Sequence, residues 1–206
     1  MKTIFIPAKV KLKIDKSKII ELSKKLPENL AIAYSIQYQN QASEIKEIIS
    51  KTHNVTKFMQ VLGCSKPNFP INTKGVLLIG SGKFHAISLA HETQLPIYIY
   101  ECEELVQISE KDIKLFEKNK RSAYLKFLNA NKIGILISLK PGQLKLNRAI
   151  IFRKKVNKKA YLFLTDKIDY NEFDNFSIDS WVNTSCPRLD FDNSAIINLS
   201  DLNLGN

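Results

Sequence analysis

Short runs rich in β-branched residues alternate along this chain with amphipathic stretches, and that rhythm restricts the fold more than any other feature. "TIFIPA" (3–8), "LAIAYSI" (30–36), "KFMQVLG" (57–63), "GVLLIG" (75–80) and "PIYIYE" (96–101) read as strands. A second series follows in "IGILISL" (133–139), "AYLFLT" (160–165), "SWVNT" (180–184) and "AIINL" (195–199). Between them, "KSKIIELSKKL" and "ASEIKEIISKT" place isoleucine and leucine at helical spacing with lysine and glutamate outward. "GKFHAISLAHET" reads as a helix close behind a glycine turn, and "QLKLNRAIIFRKKV" as another after "KPG". Strand and helix in alternation predict βα units, hence an α/β fold with mainly parallel sheets.

The helical segment 110–132 separates two groups of strands, so two homologous three-layer α/β/α domains are expected, 1–107 and 108–206. No Gly/Ser/Pro-rich linker lies between them, which predicts a tight interface. The chain's 206 residues suffice for a real core in each half. The two halves also share a feature: Cys64 follows the third expected strand of the first, and Cys186 the third of the second.

Several classes are set aside. No window approaches the roughly 20 apolar residues of a membrane span, and the initial apolar run is too short for a signal peptide. A cytoplasmic protein without membrane contact is expected. Three widely spaced cysteines do not make a secreted disulfide framework. The net charge of +11 is nearly all lysine, with arginine only at 121, 148, 153 and 188. These lysines are strewn over helix faces and turns without interleaved aromatics. That describes a solvated surface better than a nucleic-acid site.

"MQVLGCS" and "WVNTSCPRLDFD" each set a thiol just past a strand end. Ligands of parallel α/β sheets collect at those carboxyl ends, so both sulfurs can face one cleft between the halves. The competing reading makes each a buried small hydrophobe. The glycine before Cys64 and the proline after Cys186, both in turns, speak against burial. Neither spacing fits a zinc ribbon, a redox CxxC or a CxxxCxxC loop, so any metal site must be assembled from distant segments.

Two turns accompany them. In "GSGKFHAISLA", Gly80 and Gly82 permit a tight turn whose following helix can offer N–H groups to an anion. The loop lacks the third glycine of GxGxxG and the GK[ST] of a P-loop. His85 either positions a ligand or metal, or is a satisfied structural histidine. In "SLKPGQ" (138–143), Lys140 either holds a carboxylate or is simply solvated.

"MQVLGCS", "VLLIGSGKFHAISLA", "GILISLKPGQ" and "WVNTSCPRLDFD", in that order and at suitable separations, resemble the second and third domains of the archaeal and eukaryotic diphthamide-biosynthesis enzyme, 2-(3-amino-3-carboxypropyl)histidine synthase. "TIFIPA" and "SIQYQNQ" fit the opening of its second domain, so the resemblance spans essentially the whole chain. It implies an atypical radical S-adenosylmethionine enzyme with three homologous α/β domains, each giving one cysteine to a [4Fe–4S] cluster. Cys64 and Cys186 would be the second- and third-domain ligands. Three thiolates leave one iron open to the amino and carboxylate groups of S-adenosylmethionine. The reduced cluster then breaks the bond from sulfur to the aminocarboxypropyl carbon, and the radical adds to C2 of a histidine in elongation factor 2. An electron-donor protein is implied. Gln37, the turn of Gly80 and Gly82 with His85, and Ser138, Lys140, Gly142 and Gln143 would line the cofactor cleft. Asn183, Arg188 and Asp190 would shape the surroundings of the Cys186 sulfur.

One departure is large: the family's first domain and its cysteine have no counterpart in this sequence. A separate chain or related paralogue supplies them in a hetero-oligomer; or the chain is a non-catalytic accessory or scaffold in the same pathway; or Cys102 replaces the absent ligand. Cys102 belongs to the same half as Cys64, and "ECEEL" sets three carboxylates beside it, which disfavours a thiolate.

Overall fold

The computed structural model describes residues 4, 6, 8–11, 13–191 and 193–202, without the side chain of Asp190. The chain divides into two compact units, Met1–Lys114 and Leu115–Asn206.

The first unit carries β1 (Asn29–Tyr34), β2 (Asn54–Gln60), β3 (Gly75–Ile79), β4 (Ile97–Glu101) and β5 (Glu104–Gln107) in the order β2-β1-β3-β4-β5. The first four are parallel, and β5 pairs antiparallel with β4. Its helices are α1 (Lys16–Ser23), α2 (Gln39–Ile49) and α3 (Lys83–Thr93). Asp15 caps α1, its carboxylate accepting the N–H groups of Ser17 (2.9 Å) and Lys18 (3.3 Å). Ile19 of α1 and Ala42, Ile45 and Ile49 of α2 pack over Leu30, Ile32, Leu77 and Ile79. The alternate residues Ala31, Ala33, Val76 and Leu78 point to the opposite face and are equally buried. Strands covered on both faces read as unbroken apolar runs, which is why "LAIAY" and "GVLLI" stand out in the sequence.

The second unit carries β6 (Lys132–Ser138), β7 (Lys159–Thr165), β8 (Ser180–Asn183) and β9 (Ile196–Asn198), all parallel, in the order β7-β6-β8-β9. One face packs Ala123 and Phe127 of α4 (Glu110–Asn129) and Ala149 and Phe152 of α5 (Leu146–Lys155) against Ile133, Ile135, Ile137 and Val182. The other face is covered by segment 166–178 with its short 3-10 helix Tyr170–Asn175, whose aromatics pack on Leu136, Trp181 and Ile196. Gly134 lies beside Trp181 in the β6–β8 register, and a Cβ added there would run into the indole ring. Gly134→Ala is expected to cost about 1–3 kcal/mol through overpacking, read from the urea midpoint of Trp181 fluorescence.

The helix expected over 110–132 stops at Asn129. The Lys158 ammonium takes the carbonyls of Leu128 (2.9 Å) and Ala130 (2.6 Å), closing the helix end. Asp179 then accepts the N–H groups of Asn131 (2.9 Å) and Lys132 (2.8 Å), tying the entries of β6 and β8 together. Those backbone bonds hold its carboxyl below the ordinary 3.8. Because the folded value is the lower one, the contribution is present above 3.8 and is lost as pH falls through the depressed value. The stability gap between the protein and Asp179→Ala is therefore expected to be full at pH 7 and to close on acidification, checked by denaturant midpoints across pH.

The expected strand 3–8 falls partly outside the described residues, at Thr3, Phe5 and Pro7; Ile4 and Ile6 carry no strand and are exposed. Matching the two sheets strand by strand sets β1 against β6, β2 against β7 and β3 against β8. The anticipated equivalence of the two cysteines therefore fails: Cys64 follows the second strand of its sheet and Cys186 the third of its own. The place corresponding to Cys186 in the first unit is the Gly80–Gly82 turn. Among the described residues no helix is long and apolar enough to cross a membrane.

Candidate functional site

In both sheets the strand order reverses beside the first strand, between β1 and β3 and between β6 and β8. At such a point the loops leaving the carboxyl ends diverge and open a crevice. Most of the expected site residues sit on these loops, in one group per unit.

In the first unit, Gln37 lies on the 3-10 helix Ile36–Tyr38 that leaves β1. Its side chain accepts from the Ser35 hydroxyl (3.4 Å) and its carbonyl from the Val10 N–H (2.9 Å). Gly80 follows β3 and lies against Ser35, whose Oγ is 3.4 Å from where a Cβ would stand. Gly82 adopts φ 83°, a conformation that favours glycine, and precedes α3. Its N–H is taken by the Glu101 carboxylate at 3.4 Å, so this turn presents a carboxylate beside the helix start. His85 stands in the first turn of α3, edge-on to Phe84 at 5.5 Å between ring centroids.

Cys64 is exposed in the turn that leaves the edge strand β2. Two bonds close the turn: the Leu62 N–H to the Ser65 hydroxyl (2.7 Å) and the Ser65 N–H to the Leu62 carbonyl (2.9 Å). Gly63 seats it on α3. Its carbonyl accepts from the Ser88 hydroxyl (3.3 Å), and an added Cβ would strike the Phe84 ring. The glycine before the thiol is thus a close-approach residue, and it brings Cys64 to the amino-terminal half of the helix that begins after Gly82.

The second unit holds the better knit group. Ser138, buried at the end of β6, donates its N–H to the Ser185 hydroxyl oxygen (2.9 Å), while its own hydroxyl accepts the Lys140 N–H (3.2 Å). Lys140 is exposed; its carbonyl accepts the Gln143 N–H (3.0 Å), and Gly142 makes the turn at φ 78°. Thr184 bonds the Leu136 carbonyl through both its N–H (3.2 Å) and its hydroxyl (2.8 Å). Cys186 is half-buried and precedes the 3-10 helix Pro187–Asp190. Asn183, buried, donates to the Cys186 carbonyl (2.8 Å) and to Asn198 Oδ1 (2.6 Å), and its own Oδ1 accepts the Ser185 N–H (2.8 Å). Arg188 is exposed on the helix that follows, and the side chain of Asp190 lies outside the described atoms.

Cys102 is exposed in the two-residue turn between β4 and β5, where it and Glu103 have positive φ (49° and 63°). Among the described residues no group of three or more His, Cys, Asp or Glu side chains is placed to hold a metal ion. Ser35, Thr184, Ser185 and Asn198 were not anticipated. Each is a small polar residue at the end of a strand, and that placement was the available signal.

The family model described as "Putative diphthamide synthesis protein" matches residues 1–196. The 2-(3-amino-3-carboxypropyl)histidine synthase of Pyrococcus horikoshii is 28% identical over 206 residues, 92% of this chain and 60% of that protein. Subunit 1 of the synthase of Yarrowia lipolytica is 28% identical over 141 residues, 65% of this chain and 32% of that one. The crystal structure of Dph2 from P. horikoshii superposes with a TM-score of 0.73 at 25% identity, covering 90% of this chain and 59% of that one. A second crystal structure of that protein, with a 4Fe-4S cluster, matches in fold at TM-score 0.73 and 24% identity, covering 91% of this chain and 60% of that one. The chain thus spans about 60% of the length of the archaeal relatives. With most of its length matched by the family model and its fold shared with Dph2, this chain belongs to the diphthamide synthesis protein family.

Proposed function

We propose that this chain is a subunit of an enzyme that transfers the 3-amino-3-carboxypropyl group of S-adenosylmethionine to C2 of a histidine in elongation factor 2. The observation that carries the reading is that Cys64 in the first unit and Cys186 in the second each lie on a loop leaving a carboxyl strand end, the Cys186 loop held by buried asparagines. Thiolate is the donor that iron–sulfur clusters take. Cys64 and Cys186 would hold a [4Fe–4S] cluster with a third thiolate from a separate chain. When bound and reduced by a donor protein, the cluster supplies the electron that breaks the sulfur–carbon bond of the cofactor.

The chain's own residues bind and orient. Ser138, Lys140, Gly142 and Gln143 would line the cofactor cleft, where the Lys140 ammonium would hold a carboxylate. Gln37, Gly80, Gly82 and His85 would line the same cleft. Asn183 and Arg188 would shape the surroundings of the Cys186 sulfur. The reaction would take place in the cytoplasm, with the elongation factor as its substrate.

Anaerobic reconstitution of this chain alone and mixed with a chain carrying the family's first domain tests the reading. The mixture is expected to bind about four irons per complex and, once reduced, to release methylthioadenosine from the cofactor. A mixture without iron–sulfur absorbance or methylthioadenosine refutes it. A non-catalytic accessory role is the second reading, favoured by the absence of a three-ligand group among the described residues. On that reading Cys64→Ser and Cys186→Ser leave complex assembly and product formation intact.

A further inference from the structure

We infer that Asn198 is a positioning residue for the Cys186 thiol, acting through a buried pair of amides that fixes the cysteine turn. Its functional meaning rests on the proposed role of Cys186 as a cluster ligand. The parallel strands β8 and β9 end in register on two asparagines, Asn183 opposite Asn198, only 2% and 4% exposed. Asn183 donates to Asn198 Oδ1 (2.6 Å) and to the Cys186 carbonyl (2.8 Å), while Asn198 donates to the Pro187 carbonyl (3.1 Å). Partner chemistry dictates the orientation of both amides. Each backbone carbonyl can only accept, so each Nδ2 must face one, and Asn183 Oδ1 must face the Ser185 N–H.

The consequence for the thiol is geometric. Residues 184–186 belong to no helix or strand; Thr184 is held by the Leu136 carbonyl of β6, which accepts its N–H (3.2 Å) and its hydroxyl (2.8 Å). The Ser185 N–H before Cys186, the Cys186 carbonyl, which also accepts the Leu189 N–H (3.2 Å), and the Pro187 carbonyl after it are tied to the asparagine pair. Fixing the peptide on either side of the cysteine fixes the direction in which its Cα–Cβ bond leaves the chain. Asn198 does this from another strand, joined to the turn by side-chain bonds, so the two carboxyl ends act as one rigid support. A ligand sulfur must lie within a few tenths of an ångström of its bonded distance from the iron, which makes such support useful.

The test uses the full chain, anaerobic and metal-free, with each cysteine's alkylation rate by iodoacetamide followed by peptide mass spectrometry. Cys64, in the other unit, is the internal reference. In Asn198→Ala the Cys186 rate is expected to rise about 5-fold or more, the population shift from losing one net hydrogen bond, with the Cys64 rate unchanged. Asn198→Asp keeps the acceptor for Asn183 but sets an oxygen against the Pro187 carbonyl, and a rise at Cys186 is expected there as well. It also carries the measurement if the alanine variant fails to fold. An unchanged Cys186 rate in the folded variants, or an equal rise at both cysteines, overturns the inference. In the reconstituted complex, the reduced cluster of Asn198→Ala is expected to give an altered electron paramagnetic resonance spectrum at unchanged iron content. If the unsubstituted complex forms no cluster, the proposed function fails, while the ratio of the two alkylation rates still judges the positioning role.

Discussion

Cys186→Ser is expected to abolish cluster formation in the reconstituted complex and to lower methylthioadenosine release at least about 100-fold, while the chain folds and associates as before. The large loss follows from the donor. A serine hydroxyl is a harder, far less acidic ligand than a thiol, and a three-thiolate centre reduced to two has no spare sulfur within the second unit. Folding is expected to survive because the turn is held by the amides of Asn183 and Asn198 and the hydroxyls of Thr184 and Ser185, not by the half-buried sulfur. Cys64→Ser should behave alike, and Cys102→Ser should change neither iron content nor turnover. Iron content, the visible absorbance of the cluster and methylthioadenosine yield check all three. Full turnover by Cys186→Ser would leave only the accessory reading; lost turnover in Cys102→Ser would restore that residue as a ligand.

Trp181→Ala is expected to be the most damaging core substitution, costing the second unit about 3–5 kcal/mol. The indole is 3% exposed, stacks on Phe173 at 4.2 Å between ring centroids and meets Phe163 edge-on at 4.7 Å. It anchors the loop layer that covers this face of the sheet in place of a regular helix. Because the chain has two units, one global midpoint is not expected to describe the loss, and Trp181 is the chain's single tryptophan. Hydrogen exchange read segment by segment is the right measure, with protection falling across β6 and β8 and unchanged across β1 and β3. Equal loss in both units would mean that they unfold as one body. The same change should weaken cluster binding, since β8 carries Asn183 and leads into the Cys186 turn.

The amino-acid sequence determined the α/β class, eight of the strands and the loops that carry the chemistry. Strands covered on both faces leave unbroken apolar runs, and turns that abut a helix or need positive φ leave glycines, as at Gly63, Gly82 and Gly142. β5 was illegible because its hairpin turn is Cys102–Glu103, with neither the glycine nor the asparagine that marks such turns. The aromatic layer over Trp181 was hidden because segment 166–178 has no helical or alternating period to read. Only the tertiary structure decided strand order, and with it the finding that Cys64 follows an edge strand while Cys186 follows an inner one. It alone joined Asn183 to Asn198 and Ser138 to Ser185, residues far apart in the chain. The physical reason is that periodicity records which face of an element is buried, whereas neighbours across a parallel sheet are set by crossover connections that leave no local pattern.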